Sequence, residues 1–135
     1  MKYILYIEDE ETQAKLFSRI IEDQVRDFGH KVVVINNGTD ALRFLAGEDI
    51  LKINKNDVGL ILVDLAIYDI SGFQILKEIH DSKLQIPVAV LSAREDKNIE
   101  KEAKKLGATD YFVKGKDEEE LERLKNFIIK VCKKK

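Results

Sequence analysis

The sequence predicts an α/β fold: a doubly wound, five-stranded parallel sheet with helices on both faces. Three observations carry that expectation. Five short runs rich in Val and Ile, at residues 3–7, 32–35, 60–63, 88–91 and 111–113, are continuously apolar rather than alternating, as expected of strands buried on both faces. Segments with apolar residues three or four apart separate them, the spacing of helices. Strand and helix alternate five times, which implies right-handed crossovers within a parallel sheet.

The elements follow in chain order. The first strand ends at Glu8 and Asp9, after which Ala14, Phe17, Ile21, Val25 and Phe28 make one helical stripe. The second strand ends in Asn36-Asn37-Gly38. A long polar link, residues 47–59, leads to the third strand and is expected to hold a longer second helix, a loop, or both. Beyond Gly72, the residues Ile75, Leu76 and Ile79 share a face. Ile99, Ala103 and Leu106 mark a weaker helix closed by Gly107, the usual place of glycine just past a helix end. Leu121, Leu124, Ile128 and Val131 form the cleanest stripe, with Asp117 and Glu120 spaced to cap its start.

Composition narrows the classes of function. At 135 residues the chain suits one domain, 1–135, with a sizeable core, and its 44% apolar content argues against disorder. A net charge of −2, from 23 basic and 25 acidic residues, offers no reason to expect nucleic acid. The single cysteine, Cys132, cannot form an intramolecular disulfide, which fits a reducing compartment. The opening apolar run is too short for a signal peptide, and no stretch approaches membrane-spanning length. The expectation is a cytoplasmic protein with no nucleic-acid or membrane partner.

Ligands of open α/β sheets bind outside the carboxyl ends of the strands. Those ends read Glu8-Asp9, Asp64, Ser92 and Lys114 for strands one, three, four and five. A strand order of 2-1-3-4-5 puts these four side by side. Each residue has a dull explanation by itself: acids favour a helix start, Ser92 suits a helix cap, and a lone lysine is usually solvated. Four neighbouring ends with complementary polar groups favour a shared pocket. Two unit charges about 4 Å apart repel by roughly 4 kcal/mol at an effective dielectric near 20. Glu8, Asp9 and Asp64 together must therefore raise a carboxyl pKa or bind a cation. An all-oxygen site suits Mg²⁺ better than zinc. Asp64 beside a metal, a hydroxyl and an ammonium group is also fitted to receive a phosphoryl group.

With these residues in view, the chain resembles a two-component response-regulator receiver domain along its length. The matching stretches are ILYIEDE, LILVDLAIYDISG, PVAVLSA and DYFVKG. The resemblance implies a flavodoxin-like fold and a phosphorelay role, with Asp64 accepting the phosphoryl group from a sensor histidine kinase or phosphotransfer protein. It implies Mg²⁺ held by Asp9, Asp64 and the main-chain carbonyl of Ala66, with Glu8 acting directly or through a water. Ser92 and Lys114 would grip the phosphoryl oxygens, and Ser92 with Tyr111 would form the switch. It implies no enzyme beyond catalysis of the domain's own phosphorylation and dephosphorylation. A buried aromatic at the sheet edge is the plain alternative for Tyr111.

Three departures stand out. Tyr68 occupies a place usually held by proline, Gly115 follows the lysine where proline is usual, and Asp9 and Asp64 are further apart than in a typical receiver. Glycine in place of proline favours a trans, softer loop at Lys114. The inserted link and the run before Ser92 are mildly similar to receivers that partner phytochrome-type kinases. After the last helix come only Lys133, Lys134 and Lys135, so the expectation is a stand-alone receiver, monomer or homodimer, signalling to a downstream protein, or a fragment of a longer chain. A basic tail and amphipathic final helix suit a dimer face, or a helix that simply covers the sheet.

Three rival readings follow from the same residues. A haloacid-dehalogenase-like phosphatase needs a second acid two residues past the nucleophile, where Ala66 stands. A degenerate receiver would serve as an unphosphorylated scaffold. A flavodoxin-like electron carrier needs a phosphate cradle that the first loop lacks.

Overall fold

A computed structural model of the protein describes residues 2–82 and 84–133; Lys134 and Lys135 of the basic tail lie outside the described residues. The strands are β1 (Lys2–Ile7), β2 (His30–Ile35), β3 (Val58–Asp64), β4 (Val88–Ser92) and β5 (Asp110–Val113). The helices are α1 (Glu11–Val25), α2 (Gly38–Leu45), α3 (Gly72–Asp81), α4 (Lys97–Lys105) and α5 (Glu118–Lys133). All pairings are parallel and the order is β2-β1-β3-β4-β5, as the sequence predicts.

Every residue of β3 and β4 is buried, which explains why those runs carry no polar alternation. One face of the sheet presents Leu5, Ile7, Ile61, Val63 and Val90 to Phe44, Ile75 and Leu76 from α2 and α3. The other presents Ile4, Tyr6, Leu60, Leu62 and Phe112 to Phe17, Ile21, Leu124 and Ile128 from α1 and α5. Burying each such side chain contributes about 1.5–3 kcal/mol relative to exposure. The period-two alternation along each strand thus divides the core into two halves.

Local signals decide where the helices begin and end. Glu10, rather than Glu8 or Asp9, caps α1, accepting from the amides of Thr12 and Gln13. The α1 stripe ends at Val25: Phe28 falls in a following 3-10 turn and is 39% exposed, so it leaves the expected core stripe. Gly107, with φ of 104°, closes α4, and its amide donates to Lys104 O at 3.0 Å. At α5 the expected capping box is half made. Asp117 accepts from the Glu120 amide at 2.8 Å, while the Glu120 carboxylate turns to Val113 N and Arg123.

Within the segment 47–59, residues 47–57 form a loop rather than an extension of α2, and Val58 and Gly59 already belong to β3. Lys55 Nζ donates to Leu45 O at 3.1 Å, capping the helix end, and residues Lys55–Asp57 form a 3-10 turn into β3. Leu51 and Ile53 anchor the loop on the core.

Candidate functional site

The register of the sheet brings the polar strand ends together. Ile7 pairs with Val63, Asp64 with Leu91, and Ser92 with Val113. Glu8, Asp64, Ser92 and Lys114 therefore emerge at the same end of the sheet from β1, β3, β4 and β5, Glu8 level with Asp64, Ser92 one residue and Lys114 two residues further out. Lys114 N continues the ladder by donating to Ser92 O at 2.7 Å.

Lys114 lies at the centre. Its side chain is only 7% exposed, and its ammonium donates to Glu8 Oε1 and, at 2.9 Å, to Asp64 Oδ2. The Phe17 ring, its centroid 5.5 Å from Nζ, adds a cation–π contact from α1. Glu8 also accepts from Tyr6 OH and from the Glu10 amide, each at 3.2 Å. Burial pushes the Glu8 carboxyl above its ordinary range. The Lys114 ammonium opposes that shift, while the nearby Asp64 carboxyl adds to it. Burial likewise raises the Tyr6 hydroxyl, reinforced by Glu8.

Asp64 itself is buried, its Oδ1 accepting from the Ala66 amide at 2.9 Å. Asp9 turns instead toward the loop after β3, its Oδ2 accepting from Tyr68 N at 2.8 Å. The three carboxylates are thus divided between two partners: Glu8 and Asp64 share one ammonium, and Asp9 holds an amide. Among the described residues no three His, Cys, Asp or Glu side chains gather as a ready chelating group. The Lys114 ammonium supplies part of the compensation such a cluster demands.

Ser92 and Tyr111 meet at Arg94. Ser92 Oγ accepts from Arg94 N at 3.2 Å, and Tyr111 OH donates to Arg94 O at 2.7 Å. The Tyr111 ring lies inward, 2% exposed, and burial raises its phenol with the Ser92 hydroxyl opposing. Gly115 adopts φ of 69°, which the usual proline cannot, and no peptide bond among the described residues is cis. Tyr68 is 88% exposed.

Sequence reasoning passed over Tyr6, Phe17 and Asp69. Tyr6 was legible, since it stands two residues before Glu8 on the same side of a strand. Phe17 reads only as core. Asp69 accepts from Gly38 N, Thr39 N and Thr39 Oγ1 on α2, a contact no local motif announces.

The model of the response regulator receiver domain matches residues 4–125. The chain belongs to this family. It is 31% identical over 103 residues to the transcriptional regulatory protein ZraR of Klebsiella oxytoca, covering 76% of this chain and 21% of that protein. The chain spans about half or less of the length of the curated relatives it matches. Among solved structures, a response regulator receiver domain from Clostridium thermocellum superposes with a TM-score of 0.75 at 26% identity, covering 98% of each chain. The phosphorylated cyanobacterial phytochrome response regulator RcpA superposes with a TM-score of 0.74 at 25% identity, covering 96% of this chain and 90% of that one. The receiver fold is therefore shown by sequence and by structure. Among the described residues no helix is long and apolar enough to cross a membrane.

Proposed function

We propose that this receiver is a phosphorylation switch in which Asp64 takes a phosphoryl group from a sensor histidine kinase or phosphotransfer protein in a Mg²⁺-dependent reaction. The observation that carries the reading is the Lys114 ammonium set against the buried Asp64 carboxylate at the mouth of the sheet. Similarity to RcpA, solved in its phosphorylated form, supports it.

Mg²⁺ binding is typical of the family, and the donor chemistry here fits a hard cation. Asp9, Asp64 and the main-chain carbonyl of Ala66 would hold it, with Glu8 facing it directly or through a water. When bound, the ion neutralises charge on the phosphoryl oxygens. The remaining work falls to the chain's own side chains. An Asp64 oxygen bonds to phosphorus as the bond from phosphorus to the donor breaks, the donor keeping the electron pair. The product is an acyl phosphate. Lys114 transfers its hydrogen bonds to phosphoryl oxygens, and Ser92 Oγ donates another. The domain turns over no other substrate; it acts on its own phosphoryl group and passes the change to a downstream protein through Ser92 and Tyr111.

Intact mass after incubation with acetyl phosphate and Mg²⁺ tests the reading. One added phosphoryl group is expected on the wild type and none on Asp64→Asn. Full labelling of that variant, or an unlabelled wild type, would reject it.

A further inference from the structure

The loop between β3 and α3 carries the Asp64 neighbourhood, and it is tethered twice. On one side Tyr68 N donates to Asp9 Oδ2 at 2.8 Å. On the other, the Asp69 carboxylate accepts from Gly38 N at 2.8 Å, Thr39 N at 3.0 Å and Thr39 Oγ1 at 2.9 Å, all on the first turn of α2. Desolvation opposes ionisation of Asp69, but these donors outweigh it and hold the carboxyl below its ordinary range. The approach is close enough to require glycine: a Cβ at position 38 would stand 2.8 Å from Ile70 Cβ and 3.2 Å from Asp69 Oδ1. Asn37 caps the same helix independently, accepting from Asp40 N at 2.7 Å. The Asp69 contact therefore does more than begin α2; it joins α2 to the acceptor loop across 31 residues of chain.

The two tethers differ in one respect. Asp9 is a proposed cation ligand, so its carboxylate is shared between the Tyr68 amide and a bound ion. Asp69 is held by donors on α2 and by its own amide, none of them a proposed cation ligand, so it keeps its hold when the ion arrives. We infer that Asp69 is a positioning residue of the Mg²⁺ site, pinning the β3–α3 loop to α2 so that the Ala66 carbonyl and Asp64 meet the cation together. This rests on the site assignment above. Residues that orient ligands from behind typically change metal affinity by about 10-fold or more.

Isothermal titration with Mg²⁺ alone tests it. Asp69→Ala is expected to weaken binding by about 10-fold, and Asp69→Asn, which keeps one acceptor oxygen, by less. Asn37→Ala is expected to lower the melting temperature while leaving Mg²⁺ affinity unchanged, which separates positioning from simple loss of helix stability. Should Asp69→Ala fail to fold, Asp69→Asn against Asn37→Ala carries the comparison. Wild-type affinity in the Asp69 variants, equal weakening in Asn37→Ala, or no Mg²⁺ binding by the wild type would overturn the inference. A wild type that binds Mg²⁺ but takes no phosphoryl group would instead defeat the phosphoacceptor reading and leave this one standing.

Discussion

Lys114 Nζ lies 2.9 Å from Asp64 Oδ2 while also donating to Glu8 Oε1, so one ammonium serves two carboxylates in a buried pocket. Glu8 is 1% exposed as a side chain and Asp64 10%. Burial on this scale makes the pairing obligatory, because removing one partner of a buried ion pair leaves an uncompensated charge.

Lys114→Met should therefore destabilise the protein by about 3 kcal/mol at neutral pH, measured by urea unfolding. The double variant with Glu8→Gln should recover part of that loss, since only one carboxylate is then left without its cation. Mg²⁺ should also recover part of it by mass action. A loss under about 1 kcal/mol, the range of exposed pairs, would show that the ammonium is dispensable to the apo fold.

Asp9 stands apart from that pair, and its observed role is to accept from the Tyr68 amide. An asparagine keeps an acceptor oxygen for the amide but removes the charge a cation needs. Asp9→Asn is expected to melt at or above the wild-type temperature without Mg²⁺. It should show little of the Mg²⁺-induced rise expected of the wild type. Equal rises in both proteins would remove Asp9 from the proposed metal site.

The contrast between Lys114 and Asp69 shows what was legible in the sequence. Strand ends of a parallel sheet point the same way, so Glu8, Asp9, Asp64, Ser92 and Lys114 can be grouped once the strands and their order are known. Pairing within the group cannot be read that way. Which carboxylates Lys114 takes depends on side-chain reach, and Asp9 was free to face either the cluster or the loop. Asp69 was invisible because it lies in a loop and its partners, Gly38 and Thr39, lie on a helix distant in sequence. Phe28 misled because helical spacing continued past Val25, where α1 ends, into a 3-10 turn that Gly29, with φ of 74°, closes. The 47–59 link stayed open between helix and loop because Leu51 and Ile53 anchor it through tertiary packing alone.

The edge of β5 provides a test in acid. Glu120 is held below its ordinary carboxyl range by hydrogen bonds from Arg123, against desolvation, with the Val113 amide assisting. A depressed folded-state pKa means that the unfolded chain binds more protons. The stabilisation is thus present above the ordinary value of 4.5 and is lost as pH falls through the lower folded value. Glu120→Gln should lose stability at neutral pH and show a smaller further loss between neutral and acid pH than the wild type. Parallel stability curves for the two proteins below 4.5 would remove Glu120 from the acid response.

In the proposed switch, Arg94 is expected to be the pivot. Ser92 Oγ accepts from the Arg94 amide while Tyr111 OH donates to the Arg94 carbonyl. Phosphorylation places negative charge and strong acceptor oxygens beside Ser92 and Lys114. As the Ser92 hydroxyl turns to donate to them, the Arg94 amide changes its environment, and the carbonyl that holds Tyr111 moves with it. Beryllofluoride with Mg²⁺ should therefore alter hydrogen exchange at residues 92–96, in α4 and along β5, beyond the Asp64 loop. Tyr111→Phe removes a hydrogen bond contributing about 1 kcal/mol. It should speed exchange of residues 93–96 before any addition, and reduce the difference that beryllofluoride makes. Any downstream protein that prefers the phosphorylated arrangement must in turn favour phosphorylation, since the coupling is reciprocal. Exchange changes confined to the β3–α3 loop, with residues 92–96 and β5 untouched, would show that Arg94 does not relay the signal.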